Sequence, residues 1–161
     1  MNTSFFTIEA PTGDKARSLT WLIREMERDA DEVDALAARV RDWDHSPLRA
    51  LGMIEQANRL CSNGERFYQS DFIGEHTKAS LRNEGSIGVG LTNGCSPRGR
   101  GDLSYALMHA LSMDAQYGPE SESARHATHT KASSMRCYAA TLRVVAGLLG
   151  RVLRGEIGWV G

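Results

Sequence analysis

Residues 14–44, DKARSLTWLIREMERDADEVDALAARVRDWD, decide the fold. Leu19, Leu22, Met26, Val33, Leu36, Val40 and Trp43 recur at spacings of three and four, with Asp29 the one polar residue in the register. That period puts one apolar stripe along a helix that lies against another helix. Thr12 or Asp14 is positioned to cap it, after the break at Pro11 and Gly13. At 1.5 Å per residue the helix is roughly 45 Å long, which predicts a bundle or a dimer seam. Asp29 in such a seam is expected to fix register or to face a partner.

A second stripe of the same kind closes the chain. Tyr138, Leu142, Val145, Leu149 and Val152 alternate four and three within a helix predicted from Ser121 or Ser123 to about Arg154. Ala146 and Gly150, one turn apart, are small enough to permit a close helix contact. Between these helices, Ser46-Pro47 is a helix start, since serine caps well and proline is tolerated at the first helical position. Leu48, Leu51, Ile54, Ala57, Leu60 and Cys61 then supply the expected apolar face, and Ser62-Asn63-Gly64 is expected to end or kink the helix. Asp102 is positioned to cap a third helix bearing Leu103, Ala106, Leu107, Ala110 and Leu111, which Gly118-Pro119 stops.

Seven glycines between Gly74 and Gly101 exclude helix over most of that span; Ile87, Val89 and Leu91 alternate there as in a short strand. The expectation is therefore an all-α protein: a four- to five-helix bundle with long heptad-patterned first and last helices and a glycine-rich insertion near 83–101. It is read as a single helical domain over 1–161, with an N-terminal arm at 1–13 and a flexible tail at 155–161.

With 161 residues, 41% hydrophobic and 24% charged, the chain can bury one core, and a net charge of −1 gives no bulk attraction to nucleic acid or membrane. No apolar run reaches the ~20 residues of a membrane span, and no basic leader precedes Phe5, Phe6 and Ile8. Cys61, Cys95 and Cys137 form no CxxC pair, which argues against a zinc knot or disulfide framework. A cytoplasmic protein without a cofactor is expected.

The near-zero net charge hides segregation. Residues 14–44 carry nine acids and six bases, 102–123 four acids and no base, and 124–155 six bases and no acid. The simplest account is internal pairing of the basic last helix with the acidic first one. Two functional accounts stand beside it. An acidic face made of Glu25, Glu27, Asp31, Asp34, Asp114 and Glu120 would dock on a basic groove. Alternatively, Arg98 and Arg100 of the glycine-rich stretch, with Arg136, Arg143 and Arg151, would meet phosphates. Few aromatics interleave with those arginines, which disfavours base stacking.

Glu122, His126 and His129, spaced four and three, share one helix face and have the donor types of an open metal site or an acid–base set. His109 is a further candidate from the third helix. His126-Ala127-Thr128 is similar to the HxT element of two-histidine phosphoesterases. That family carries two copies, each on a strand; one copy on a predicted helix carries no residues over. The glycine-rich stretch matches neither GxxxxGK[ST] nor GxGxxG.

A small, motif-poor helical chain with segregated charge resembles, in general character, virus-encoded inhibitors of host defence such as anti-CRISPR proteins. The resemblance implies a non-catalytic interaction module that binds and occludes a larger intracellular protein or nucleoprotein complex, with a homodimer as a further expectation. The metal-dependent hydrolase and the nucleic-acid binder are the alternatives.

Overall fold

The computed structural model describes residues 10–69 and 103–156. These residues form four helices and no strand: α1 (Gly13–Arg41), α2 (Pro47–Gln69), α3 (Leu103–Tyr117) and α4 (Glu122–Leu153). The glycine-rich insertion, Asp102, most of the N-terminal arm and most of the tail lie outside the described residues.

The first helix buries its stripe as its spacing requires. Leu19, Leu22, Met26, Asp29, Val33, Leu36, Val40 and Trp43 are all buried. On α4, Tyr138, Leu142, Val145, Leu149 and Val152 are buried as well. The two helices make the most extensive interface of the molecule. They run antiparallel, because Gly155, just past α4, packs beside Ala10, just before α1. Gly155 has a φ of +73°, so the chain turns there at a position where an L side chain would be strained. Alanines in the core of both helices, Ala30 and Ala37 on α1 with Ala132, Ala139 and Ala146 on α4, allow close approach. Gly150 does not add to it: the nearest atom to a Cβ built there belongs to Arg154 of its own helix.

α2 runs antiparallel to α1, with Arg39 bonded to Gln56, Glu32 to Arg59 and Asp29 to Asn63. α3 packs on both α2 and α4, closing a ring of four helices around one core. The start at Ser46 is as expected: Ser46 Oγ accepts from the Arg49 N–H at 3.5 Å, and its carbonyl accepts from Ala50 at 3.1 Å. Gly118, at φ +84°, ends α3, and Ser121 caps α4 by accepting from the Ala124 N–H at 3.1 Å.

Two local expectations are corrected. Ser62-Asn63-Gly64 neither ends nor kinks α2, which continues to Gln69. Asn63 is buried there and bonded to α1, and Phe67 beyond it is buried, so tertiary contacts override weak local propensity. The apolar face of α2 is also shifted at its first turns, while Ala57, Leu60 and Cys61 are buried as expected. Its core residues are Ala50, Met53, Ala57, Leu60, Cys61 and Phe67, whereas Leu48 and Leu51 are 80% and 60% exposed.

Asp29 is only 1% exposed, between α1, α2 and α4. Its Oδ2 accepts from Asn63 Nδ2 at 3.0 Å, and Arg66 donates in turn to Asn63 Oδ1. Its Oδ1 is buried without a hydrogen bond among the described residues, 3.9 Å from the Arg28 guanidinium. Burial raises the pKa of Asp29, and the nearby acids Glu32 and Glu25 add to this; the Asn63 bond and Arg28 oppose it. From α4, Tyr138 presents a phenol whose own pKa is pushed up by burial, then by the Asp29 charge and by Cys61.

The folded state therefore holds the Asp29 proton more tightly than the unfolded chain, and this contribution to stability is lost as pH rises from the ordinary value of 3.8 through the folded-state pKa. Asp29→Asn mimics the protonated form. We expect the Tm of wild type to gain several degrees relative to Asp29→Asn on going from about pH 8 to about pH 4. Parallel Tm–pH curves for the two proteins would contradict the assignment.

Candidate functional site

Charges that the sequence segregates meet at the surface of the α1–α4 seam. Arg143 of α4 donates to Asp31 at 2.9 Å and lies 2.6 Å from Asp34, both on α1. Hydrogen bonds to the two carboxylates raise the Arg143 pKa further. This pairing follows from the antiparallel seating of α1 on α4, which sets the acidic flank of one helix beside the basic flank of the other.

The rest of the acidic set is also largely engaged. Glu25 pairs with Arg28, Glu120 with Arg125 at 2.8 Å, and Asp114 with His45 at 2.5 Å. Glu27 is exposed and has no ion-pair partner among the described residues. The six acids do not form one free face, since each of the others lies beside an arginine or histidine of the chain itself.

The basic set is similarly dispersed. Arg98 and Arg100 lie outside the described residues. Arg151 is 3.7 Å from Glu156, Arg143 is bridged to α1, and Arg136 is exposed. On α4, Glu122 occupies the first helical position beyond the Ser121 cap, where its charge favours the positive helix end. Glu122, His126 and His129 are all exposed, and His126 Nε2 lies 3.5 Å from Thr130 Oγ1. Among the described residues, no three His, Cys, Asp or Glu side chains are grouped so as to hold a metal ion, His109 included.

The structure instead draws attention to the corner between α1 and α2, which spacing alone does not reveal. His45 adopts φ +63°, a left-handed conformation costly for a residue with a Cβ. Its surroundings hold it there. The imidazole lies 5.0 Å from the Trp43 ring, and Nδ1 lies 2.5 Å from Asp114 Oδ1 of α3. Trp43 Nε1 donates to the Ser46 carbonyl at 2.9 Å. Asp44 accepts from the Ser46 N–H at 3.1 Å and lies 3.3 Å from Arg49 Nη1. These bonds tie Trp43, Asp44 and Ser46 together, whereas His45 Nδ1 and Asp114 Oδ1 are buried without a hydrogen bond among the described residues.

Beside it opens a cleft of about 280 Å³ lined by Ala38, Arg39, Asp42, Trp43, Arg49 and Met53. Trp43 and Met53 are buried and offer an apolar floor. Leu48 and Leu51, one turn apart, project into solvent from the outer face of the same helix start. Leu48 and Leu51 are two of the exposed large apolar side chains among the described residues, with Trp21, Met108, Tyr117 and Val144, and they share one turn beside this hydrogen-bonded corner.

No protein-family model, curated protein or solved structure matches this chain. No helix among the described residues is long and apolar enough to cross a membrane.

The Arg143 bridge joins groups that are 38–79% exposed, so solvent screens it. Arg143→Glu is expected to cost about 1 kcal/mol or less at low salt, and Asp31→Lys with Asp34→Lys in the same chain to restore most of it. Urea unfolding checks this. A cost that the compensating changes leave untouched would show that the bridge is not what stabilises this seam.

Proposed function

We propose that the protein is a non-catalytic helical interaction module that docks on and occludes a larger partner protein through the first turns of α2. The observation that supports this most directly is the exposure of Leu48 and Leu51 on the helix face turned away from the core. Burying a leucine side chain is worth about 1.5–3 kcal/mol, so two exposed leucines on one helix turn are a ready anchor for a partner. The acidic face gives weaker support for docking on a basic groove, because its members are satisfied within the chain.

Affinity capture from nuclease-treated lysate at high salt, read by mass spectrometry, tests the reading. Wild type is expected to retain a stoichiometric protein partner, and Leu48→Asp with Leu51→Asp to lose it. Since both side chains are exposed, the double variant should keep its helical content, with stability changed by about 0.5 kcal/mol per site or less. Absence of a partner, or capture unaffected by the double substitution, would overturn the proposal.

A further inference from the structure

The cleft beside Leu48 has a chemistry of its own. Its volume of about 280 Å³ lies below the ~300–1,000 Å³ typical of cofactor and small-molecule sites, and suits one large side chain and its neighbours. The floor is apolar, and the Trp43 N–H is already given to the Ser46 carbonyl, so the indole offers carbon surface rather than a donor.

The rim is cationic in a specific way. Asp42 is held by Arg41 through two hydrogen bonds of 3.1 and 3.2 Å, which lower its pKa. Arg49 is drawn toward Asp44 at 3.3 Å. Arg39 differs: its Nη1 donates to the neutral Gln56 Oε1 at 2.5 Å, and no carboxylate among the described residues pairs with it. One guanidinium at the cleft edge thus has no compensating carboxylate among the described residues, with donors left over. A planar guanidinium is suited to bidentate capture of a carboxylate.

We infer that the α1–α2 cleft receives an acidic segment of a partner protein, an aromatic or aliphatic side chain seating on Trp43 and Met53 while a neighbouring carboxylate pairs with Arg39. The assignment rests on the docking role proposed for this corner and adds the chemistry of what docks. It reverses the polarity expected from sequence, where the acids of this chain were to meet a basic surface.

The test uses the full chain and a defined probe: the acetylated, amidated tripeptide aspartate–phenylalanine–glutamate, titrated while the indole N–H resonances are followed by NMR. Trp43→Phe assigns the Trp43 signal. The expected result is a saturable shift of that signal with a millimolar dissociation constant. The asparagine–phenylalanine–glutamine peptide, and the acidic peptide against Arg39→Gln, should bind about tenfold more weakly or less tightly still. Arg136→Gln, exposed on α4 and not part of the cleft lining, should bind as wild type does.

No saturable shift, equal affinity for the neutral peptide, or an unaffected Arg39→Gln protein would overturn the inference. Because the titration needs no natural partner, its failure is distinguishable from failure of the docking role. Lost peptide binding with partner capture still dependent on Leu48 and Leu51 would sink the cleft chemistry alone.

Discussion

The seating of α1 on α4 is the constraint from which the rest of the molecule follows. Both helices are long, both bury a continuous stripe, and alanines on each let the backbones approach. Once the two run antiparallel, the positions of the other helices are narrowly limited. α2 leaves α1 through a short turn and must return along it, and α3 must enter α4 through the turn at Gly118. The remaining gap between α2 and α3 closes the ring. Asp29 sits within this core, bonded across to α2, where a shift of one helix would strand its carboxylate. A buried polar group of this kind disfavours alternative registers more than it adds stability.

Those parts of the fold that rest on long, consistent periodicity were legible from the residues. The stripes of α1 and α4 each extend over several turns, so no single residue had to be weighed. The face of α2 was not. Leu48-Leu51-Ile54 and Ala50-Met53-Ala57 are both stripes at helical spacing, and hydropathy alone favours the leucines. The structure buries Ala57, Leu60 and Cys61 of the expected face but takes Ala50 and Met53 in place of the two leucines, which it leaves outside. Asn63-Gly64 was misread for a related reason. Its local signal is that of a stop, but its role is set by Asp29 on another helix, which no local window contains.

The candidate site was illegible for a deeper reason. The corner depends on His45 in a left-handed conformation, on Asp114 from α3 and on the Trp43 ring, and none of these belongs to a motif. The charge blocks, by contrast, were visible in sequence, and internal pairing accounts for part of them: Arg143 joins Asp31 and Asp34 across the α1–α4 seam, while Arg125, Arg151 and Arg154 pair with Glu120 and Glu156 near their own helix ends. The six acids suited on paper to a basic target are distributed among four local or tertiary pairings, with Glu27 left out. Residues of one sign in a sequence block need not make a surface of one sign, because helix packing places the opposite block beside it.

This internal neutralisation bears on where recognition can occur. A partner that competes for acids already paired must first desolvate and break those pairs, gaining little in return. Where the chain leaves apolar side chains exposed and one guanidinium with no compensating carboxylate among the described residues, no such exchange is needed. The α1–α2 corner combines both features with a turn in which Trp43 and Asp44 are bonded to Ser46. Rigidity matters there because ordering flexible side chains on association costs about 0.5–1.5 kcal/mol each. Leu48 and Leu51 stand on a helix start pinned by Ser46, and Trp43 and His45 are fixed by each other and by Asp114. The strained His45 conformation is retained because three elements converge on it, and the same convergence holds the exposed leucines in one place.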